Sequence, residues 1–266
     1  MRVQAMNDES KTLYIPLYGK AFVSQRGIIL QDKRAEEIWE KEKFPLRGKA
    51  SSKWLAYYMA MRARVFDRWV QEKIAEQPDG IVLHLGCGLD CRAERVGGAS
   101  ALWFDVDFEA VINERRRYYT ETDNYHMVPA DIRDTTFIEA LPPVSRAIVV
   151  LEGVSMYLTN GQLKELFTNL SSRFEHLSVL IDCYTPFAAK MSKVKNPIKE
   201  VGVSTVYGIE SAGILEEGTG LTFIKEHAMT PQDLINDLPK SERFLFKVLY
   251  GGGAANRLYK LYEYKR

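Results

Sequence analysis

The residues whose types and spacing suggest chemistry stand at the ends of short apolar runs. Gly86 and Gly88 follow the apolar residues 81–85. Glycine lets a backbone approach a ligand closely, because it has no Cβ to clash. Asp105 and Asp107 end the next apolar run, 19 and 21 residues beyond Gly86. In nucleotide-binding α/β proteins an acidic side chain at this distance faces the ribose hydroxyls. The pattern therefore favours binding of a nucleoside.

Two later runs also end in polar residues. Asp131 and Ile132 follow the third run, where a carboxylate could accept the adenine amino proton and a backbone group could meet a ring nitrogen. Glu152 ends the fourth run, and burying a lone carboxylate is costly unless it has a partner. Taken singly, each motif is also compatible with an ordinary tight turn or a solvated carboxylate. Four polar ends on successive strands favour one nucleoside site.

The glycine loop does not match a dinucleotide-binding motif. Asp90 and Cys91 stand where a third glycine would open the following helix. A nicotinamide-dependent dehydrogenase is therefore disfavoured.

The elements that must position these residues alternate in type. Five apolar runs, at residues 81–85, 101–104, 125–130, 147–151 and 178–184, alternate with helical patterns and predict a parallel sheet. Residues 221–225 and 258–264 predict two more strands as a late antiparallel hairpin. Thr159 and Gln162 form a capping-box pattern that begins a helix. The predicted class is α/β, with a mostly parallel seven-stranded sheet.

The flanking segments predict a single domain with covers over the sheet. Residues 1–79 read as a helical cap, with one apolar stripe at Trp54, Tyr58, Met61, Val65 and Trp69. Residues 80–266 form the core. Residues 186–217 interrupt it as a possible lid or as a solvated face that carries Lys190, Lys193, Lys195 and Lys199.

Composition limits the partners. The formal net charge is +1, which gives no general attraction to nucleic acid. The three cysteines fit reduced thiols in a reducing compartment, and no metal-ligand spacing is present. Without an apolar leader or a membrane-length run, we expect a cytoplasmic protein with no membrane segment. Nothing in the sequence sets the oligomeric state.

Five segments carry a resemblance to a known family. They are RARVFD (62–67), LGCGLD (85–90), FDVDF (104–108), ADIRD (130–134) and LEGVSMYL (151–158). In this order they resemble the leucine carboxyl methyltransferase family, over residues 10–185. The chain looks closest to its bacterial branch, which includes polyketide carboxyl O-methyltransferases. The resemblance implies a Rossmann-like class I methyltransferase fold and S-adenosylmethionine as the cofactor, with S-adenosylhomocysteine as the product.

The resemblance also implies roles for individual residues. Arg64 would bind the methionine carboxylate, although an ion pair with Asp67 is the alternative. Glu152 would lie by the amino group, and Lys20 matches a basic residue that the family has near its N-terminus. The remaining positions would be Gly86, Cys87 and Gly88 under the cofactor, Asp107 at the ribose with Asp105 behind it, and Asp131 and Ile132 around the adenine.

The methyl acceptor is predicted from the lack of an evident base. A carboxylate is already ionised near neutral pH, whereas a phenol would be helped by a general base. None of His84, His126, His176 and His227 lies in a motif that marks a base, and His84 reads as a core residue. We therefore expect in-line transfer to a carboxylate, or a hydroxyl, of a small organic molecule.

Aromatic residues in the cap and the possible lid predict an acceptor pocket, although several could simply pack the cap onto the sheet. The set is Tyr14, Tyr18, Phe22, Tyr184, Phe187, Met191 and Tyr207. The alternatives are a methyltransferase that modifies tRNA or a protein carboxyl group, and a nucleoside-binding protein without catalysis.

Overall fold

The computed structural model describes residues 13–44, 46, 48–97, 101–192, 205–251 and 257–266. Seven strands form one sheet in the order β3-β2-β1-β4-β5-β7-β6. Strands β1 to β5 are parallel, and β7 runs antiparallel to both β5 and β6. Each predicted run overlaps one strand, so the predicted mostly parallel sheet is confirmed. The strands are β1 (Ile81–Leu85), β2 (Leu102–Asp107), β3 (Tyr125–Pro129), β4 (Arg146–Leu151), β5 (His176–Tyr184), β6 (Thr222–Glu226) and β7 (Tyr259–Lys265).

The central strands are apolar throughout because both faces of the sheet are covered. Alternate side chains of a strand point to opposite faces. Val82 and Ile148 accordingly pack into the core on one side, and Leu83 and Val149 pack into the core on the other. This burial holds the carboxyl ends of β1 and β4 side by side, where the predicted polar residues begin.

Three helices form the N-terminal part that the structure describes: α1 (Tyr14–Ser24), α2 (Lys33–Glu42) and α3 (Lys53–Glu76). The predicted stripe on α3 is confirmed, since Tyr58, Met61, Val65 and Trp69 are buried. They belong to the same core as the sheet residue Val82. The helical cap therefore packs directly on the sheet. Residues 1–12 of the predicted cap lie outside the described residues.

The helices between the parallel strands are α4 (Arg92–Arg95), α5 (Glu109–Arg115) and α6 (Asn160–Arg173). The predicted capping box at the start of α6 is confirmed. Thr159 Oγ1 accepts from the backbone nitrogen of Gln162 at 3.2 Å, and Gln162 Oε1 accepts from that of Thr159 at 2.9 Å. The inward face of α6 is fully buried against the sheet.

The C-terminal part adds α7 (Pro186–Ser192), α8 (Gln232–Asn236) and α9 (Lys240–Tyr250). The antiparallel pairing of β6 and β7 is confirmed, with α8 and α9 between them in sequence. The possible lid contains α7 and a 3₁₀ turn at Ala212–Leu215. Lys193, Lys195 and Lys199 lie outside the described residues. Within the described ranges no helix is long and apolar enough to cross a membrane.

Candidate active site

A cavity of about 450 Å³ lies at the carboxyl ends of β1, β2 and β4 and is covered by α1 and α3. One end is polar and contains the glycine loop and the acidic strand ends. The other end is apolar and aromatic. The predicted residues in its lining are Lys20, Gly86, Cys87, Gly88, Asp107, Asp131, Ile132, Glu152, Tyr184 and Met191.

The glycine loop after β1 forms the floor of the polar end. Gly86 and Gly88 have φ values of +69° and +53°, which L side chains rarely adopt. A Cβ at Gly86 would overlap the side chain of Val154, which lines the same cavity. Glycine is therefore required at Gly86 both by the backbone conformation and by the packing of Val154, and both glycines line the cavity. Cys87 lines the cavity as a free, buried thiol.

Asp107, at the end of β2, faces the cavity with its carboxylate held by the backbone. Oδ2 accepts from Gly88 N and Oδ1 from Phe108 N, each at 2.8 Å. Burial raises the pKa of Asp107 to about 6, although these two hydrogen bonds oppose the rise. Each carboxylate oxygen can accept a second hydrogen bond. Asp107 is thus suited to two ribose hydroxyl donors.

Asp105 lies two residues earlier and does not line the cavity. Its carboxylate accepts from Trp103 Nε1 at 2.8 Å and from the Tyr125 hydroxyl at 2.6 Å, and it pairs with Arg115. Burial alone would raise its pKa, but Arg115, His84 and Tyr125 together outweigh burial and lower it. The carboxylate of Asp105 therefore binds protein groups and does not face the cavity, which agrees with a position behind Asp107.

Asp131 and Ile132 line the cavity beyond β3. Asp131 pairs with Arg133 at 2.6 Å near the surface. Phe108, Val111 and other apolar side chains line the same region. A carboxylate beside an apolar wall can accept from an exocyclic amine while the wall covers a flat ring.

Glu152, at the end of β4, is 6% exposed and held by two arginines. Its Oε1 accepts from Arg62 Nε at 3.0 Å, and its Oε2 pairs with Arg92. Burial would raise the pKa of Glu152, but Arg92 and Arg62 outweigh it and lower the pKa to about 2. The carboxylate therefore stays ionised and is a weak base.

The arginine of α3 that lines the cavity is Arg62, not Arg64. The cavity-facing positions of α3 are Leu55, Tyr58, Met59 and Arg62, at spacings of three and four. Residues two apart on a helix point about 200° apart, which turns Arg64 away from this face. The predicted role of Arg64 is therefore not supported by its position. The alternative role of Arg64, an ion pair with Asp67, is also disfavoured, because Asp67 already pairs with Arg92 and Arg95.

Sequence reasoning missed the buried ion pairs behind the polar end. Lys20 Nζ lies 2.9 Å from Asp90 Oδ1, which joins α1 to the glycine loop. Arg95 pairs with Asp32 at 2.7 Å and with Asp90 at 2.8 Å. The helical spacing along α3 could have identified Arg62. No local pattern pairs residues as distant as these.

The aromatic end is built mainly from tyrosines. Tyr184 and Tyr259 meet edge to face with ring centroids 4.5 Å apart, and Tyr58 lies 5.1 Å from Tyr250 and 5.9 Å from Tyr259. Burial raises the pKa of Tyr58 and of Tyr259 above the usual range, so both hydroxyls stay neutral. Of these four tyrosines, only Tyr184 was predicted to line the acceptor pocket.

The other predicted acceptor residues do not line this cavity, apart from Met191. Tyr14 stacks on Phe44 with the ring centroids 3.8 Å apart, and Tyr18 packs on Trp39 with the ring centroids 5.0 Å apart. Phe22 packs on Tyr57, so these three hold the cap together. Two more face solvent: Phe187 is 55% and Tyr207 is 40% exposed.

His84 lines the cavity with both ring nitrogens engaged. Nδ1 lies 3.1 Å from Asp105, and Nε2 lies 3.2 Å from Arg92. Burial lowers the pKa of His84, although the Asp105 hydrogen bond opposes this. His84 is thus a buried structural residue, as predicted, and not a free base. Among the described residues no group of His, Cys, Asp or Glu is arranged to hold a metal ion.

The sheet order and a nucleoside-type site at its carboxyl edge define the class I methyltransferase architecture. The fold resembles magnesium protoporphyrin IX methyltransferase of Synechocystis PCC 6803 with bound S-adenosylhomocysteine (TM-score 0.51, 12% identity, 88% of this chain and 93% of that one). It also resembles a Thermobifida fusca structure provisionally assigned as a methyltransferase (TM-score 0.56, 12% identity, 93% and 94%).

The sequence comparisons identify the family. Residues 1–171 match the model of the leucine carboxyl methyltransferase family. The chain is 28% identical over 219 residues to the tetracenomycin polyketide synthesis O-methyltransferase of Streptomyces glaucescens, covering 82% of this chain and 81% of that protein. A methyltransferase of Gibberella zeae that depends on S-adenosylmethionine is 29% identical, over 49% of this chain and 47% of that protein. The chain belongs to the leucine carboxyl methyltransferase family and is an S-adenosylmethionine-dependent methyltransferase.

Proposed function

We propose that this protein transfers a methyl group to the carboxylate of a small, largely aromatic organic acid. The observation that carries the proposal is one cavity with a nucleoside-type polar end and an aromatic end, in which Glu152 and His84 are already engaged with protein partners. The O-methyltransferase of tetracenomycin polyketide synthesis, a relative over most of the chain, supports transfer to an oxygen atom of a small organic acceptor.

The residues of the polar end fit the cofactor. We assign the ribose hydroxyls to Asp107, the adenine to Asp131 and Ile132, and the backbone contacts to Gly86, Cys87 and Gly88. Lys20 and Arg62 are the cations of the lining on the α1 and α3 side and would face the methionine carboxylate, with Glu152 at the amino group. When bound, the cofactor supplies an electrophilic methyl group on its sulfonium.

The chain's own contribution to the reaction is alignment and exclusion of water. Transfer of a methyl group by in-line displacement depends mainly on the placing of two reactants. The tyrosines of the aromatic end give an acceptor a rigid wall, and α1 covers the polar end. Both reactants would be held at the junction of the two ends.

A carboxylate acceptor is favoured because it needs no base. Glu152 is bound by Arg62 and Arg92, and both nitrogens of His84 are engaged. The pKa values of Tyr58 and Tyr259 are raised by burial, so neither supplies a phenolate. An acid is already ionised at neutral pH, whereas a phenol would have to lose its proton unaided.

A protein carboxyl group or tRNA is the alternative acceptor, and the family name favours the first of these. Segments spread along the chain from α1 to β7 line one cavity, so we treat the chain as a single domain. A cytoplasmic location also remains a prediction.

The test is methyl transfer from radiolabelled S-adenosylmethionine to four acceptor sets: aromatic carboxylic acids, phenols, peptides that end in leucine, and bulk tRNA. We expect turnover on one or more aromatic acids and a base-labile ester product. Turnover only on tRNA or only on the peptides would overturn the small-molecule acceptor. Turnover only on phenols would overturn the carboxylate.

A further inference from the structure

The ion pairs behind the polar end form one continuous buried network. Among the described residues it comprises five carboxylates and four cations, whose side chains are at most 8% exposed: Asp32, Asp67, Asp90, Glu152 and Asp182, with Lys20, Arg62, Arg92 and Arg95. With every group ionised, the network has a formal excess of one negative charge. The neighbouring carboxylates of Asp105 and Asp131 each have an arginine of their own, whereas Asp107 is held by backbone N–H groups and adds a further negative charge when it is ionised.

At its β5 end the network reaches Asp182, whose pKa is raised by burial, although Arg62 and the Gly153 N–H oppose the rise. Its Oδ2 accepts from Arg62 Nη1 at 2.8 Å, and its Oδ1 accepts from Gly153 N at 2.6 Å. One donor on each oxygen fits an ionised carboxylate. Arg62 is thus shared between Asp182 and Glu152, and because Glu152 also pairs with Arg92, Asp182 is the less fully compensated of the two carboxylates.

The cofactor and its product differ in charge. S-adenosylmethionine carries a sulfonium beside its zwitterionic amino acid, a net charge of +1, whereas the thioether product is neutral overall. Charges in a buried site interact far more strongly than in water. A fixed negative charge behind the cavity therefore attracts the cofactor and is indifferent to the product.

We propose that this buried network selects the cationic cofactor over its neutral demethylated product, and that Asp182 supplies the deciding charge. The site then releases the product more readily than it releases the cofactor, which limits inhibition by product. The inference rests on the methyltransferase function and not on any particular acceptor.

The experiment compares dissociation constants by calorimetry for three ligands: S-adenosylmethionine, S-adenosylhomocysteine and sinefungin, an analogue with a cationic amine in place of the sulfonium. Because charges attract more strongly in a partly buried site than in water, we expect the wild type to bind both cations on the order of tenfold more tightly than the product. Asp182→Asn keeps the shape of the side chain and removes the charge. It should reduce the preference for the two cations over the product.

Glu263→Gln is the matched control, because Glu263 is a buried carboxylate of the same sheet that pairs with His227 and lies outside the network. It should leave the preference for cations unchanged. Asp67→Asn removes a network charge that does not contact Arg62, and should reduce the preference as well. Thermal unfolding shows which variants are folded.

The outcomes distinguish failure of this inference from failure of the methyltransferase function. Equal affinity of the wild type for cofactor and product, or an unchanged preference in folded Asp182→Asn and Asp67→Asn proteins, would overturn the inference. A loss for all three ligands alike in Asp182→Asn would mean that Asp182 only positions Arg62. No binding of any ligand to the wild type would instead contradict the methyltransferase function itself.

Discussion

Arg62 Nε donates to Glu152 Oε1 at 3.0 Å across a separation of 90 residues. This contact ties the middle of α3 to the loop after β4, so the cap and the sheet share one wall of the cavity. Replacing one partner of a buried ion pair leaves the other charge unpaired, which is more costly than never having had the pair.

Arg62→Met should therefore weaken both the fold and cofactor binding. We expect a loss of about 3–5 kcal/mol in the free energy of unfolding, because Glu152 and Asp182 both lose a partner. Arg64→Met, two residues along the same helix, is the control and should change little. Denaturant unfolding and calorimetry measure the two effects. The opposite ranking of these variants would restore the role that the sequence implied for Arg64.

Asp107→Asn should weaken the cofactor more than Asp105→Asn does. A hydrogen bond to a charged group is worth about 1.5–3 kcal/mol, or about ten- to hundredfold in the dissociation constant. Asp105 does not line the cavity and pairs with Arg115, so its substitution should mainly lower stability. Calorimetry and thermal unfolding of both proteins distinguish the two losses. A larger loss of affinity at Asp105 would reverse the assignment.

Cofactor affinity should fall as the pH is lowered through about 6. Burial raises the pKa of Asp107 to about 6 in the free protein. Ribose hydroxyls donate to the ionised form, so binding requires loss of the proton, and affinity is complete only above this pKa. Below it, the dissociation constant should rise towards about tenfold per pH unit. Asp107→Asn should flatten this dependence, and an equally steep profile in that variant would assign the titration elsewhere.

Met191→Asp should raise the KM for the acceptor and leave cofactor affinity intact. Met191 lines the aromatic end and is 47% exposed, so the fold tolerates a charge there. Loss of the apolar contact between Met191 and the acceptor should raise the KM roughly fivefold. Phe187→Asp, on the same helix and outside the lining, is the control. Equal effects of the two substitutions on KM would argue against an acceptor at this end.

The acid acceptor should bind after the cofactor. The buried network and Asp107 make the empty site negative, and this repels a carboxylate until the cationic cofactor is present. Initial rates with the acid that gives the fastest turnover should show an ordered pattern, with S-adenosylhomocysteine competing only with the cofactor. A random pattern, with tight binding of the acid to the free enzyme, would refute this order.

Much of the fold was predictable because its signals are local. Burial on both faces makes β1 and β4 continuous apolar runs, and the capping box at Thr159 lies within four residues of sequence. The acidic residues at the ends of β2 and β4 followed from the same logic, because parallel strands bring their carboxyl ends to one edge. The sequence by itself thus determined the sheet, the glycine loop and the polar end of the cavity.

Only the tertiary structure decided which partners the charged groups take and which aromatics meet the cavity. Arg62 binds Glu152 and Asp182, which lie 90 and 120 positions away in the sequence. Asp105 differs from Asp107 because it forms an ion pair with Arg115. Tyr58, Tyr250 and Tyr259 come together from α3, α9 and β7. The physical reason is that periodicity fixes the face of one element, whereas these contacts depend on how separate elements pack.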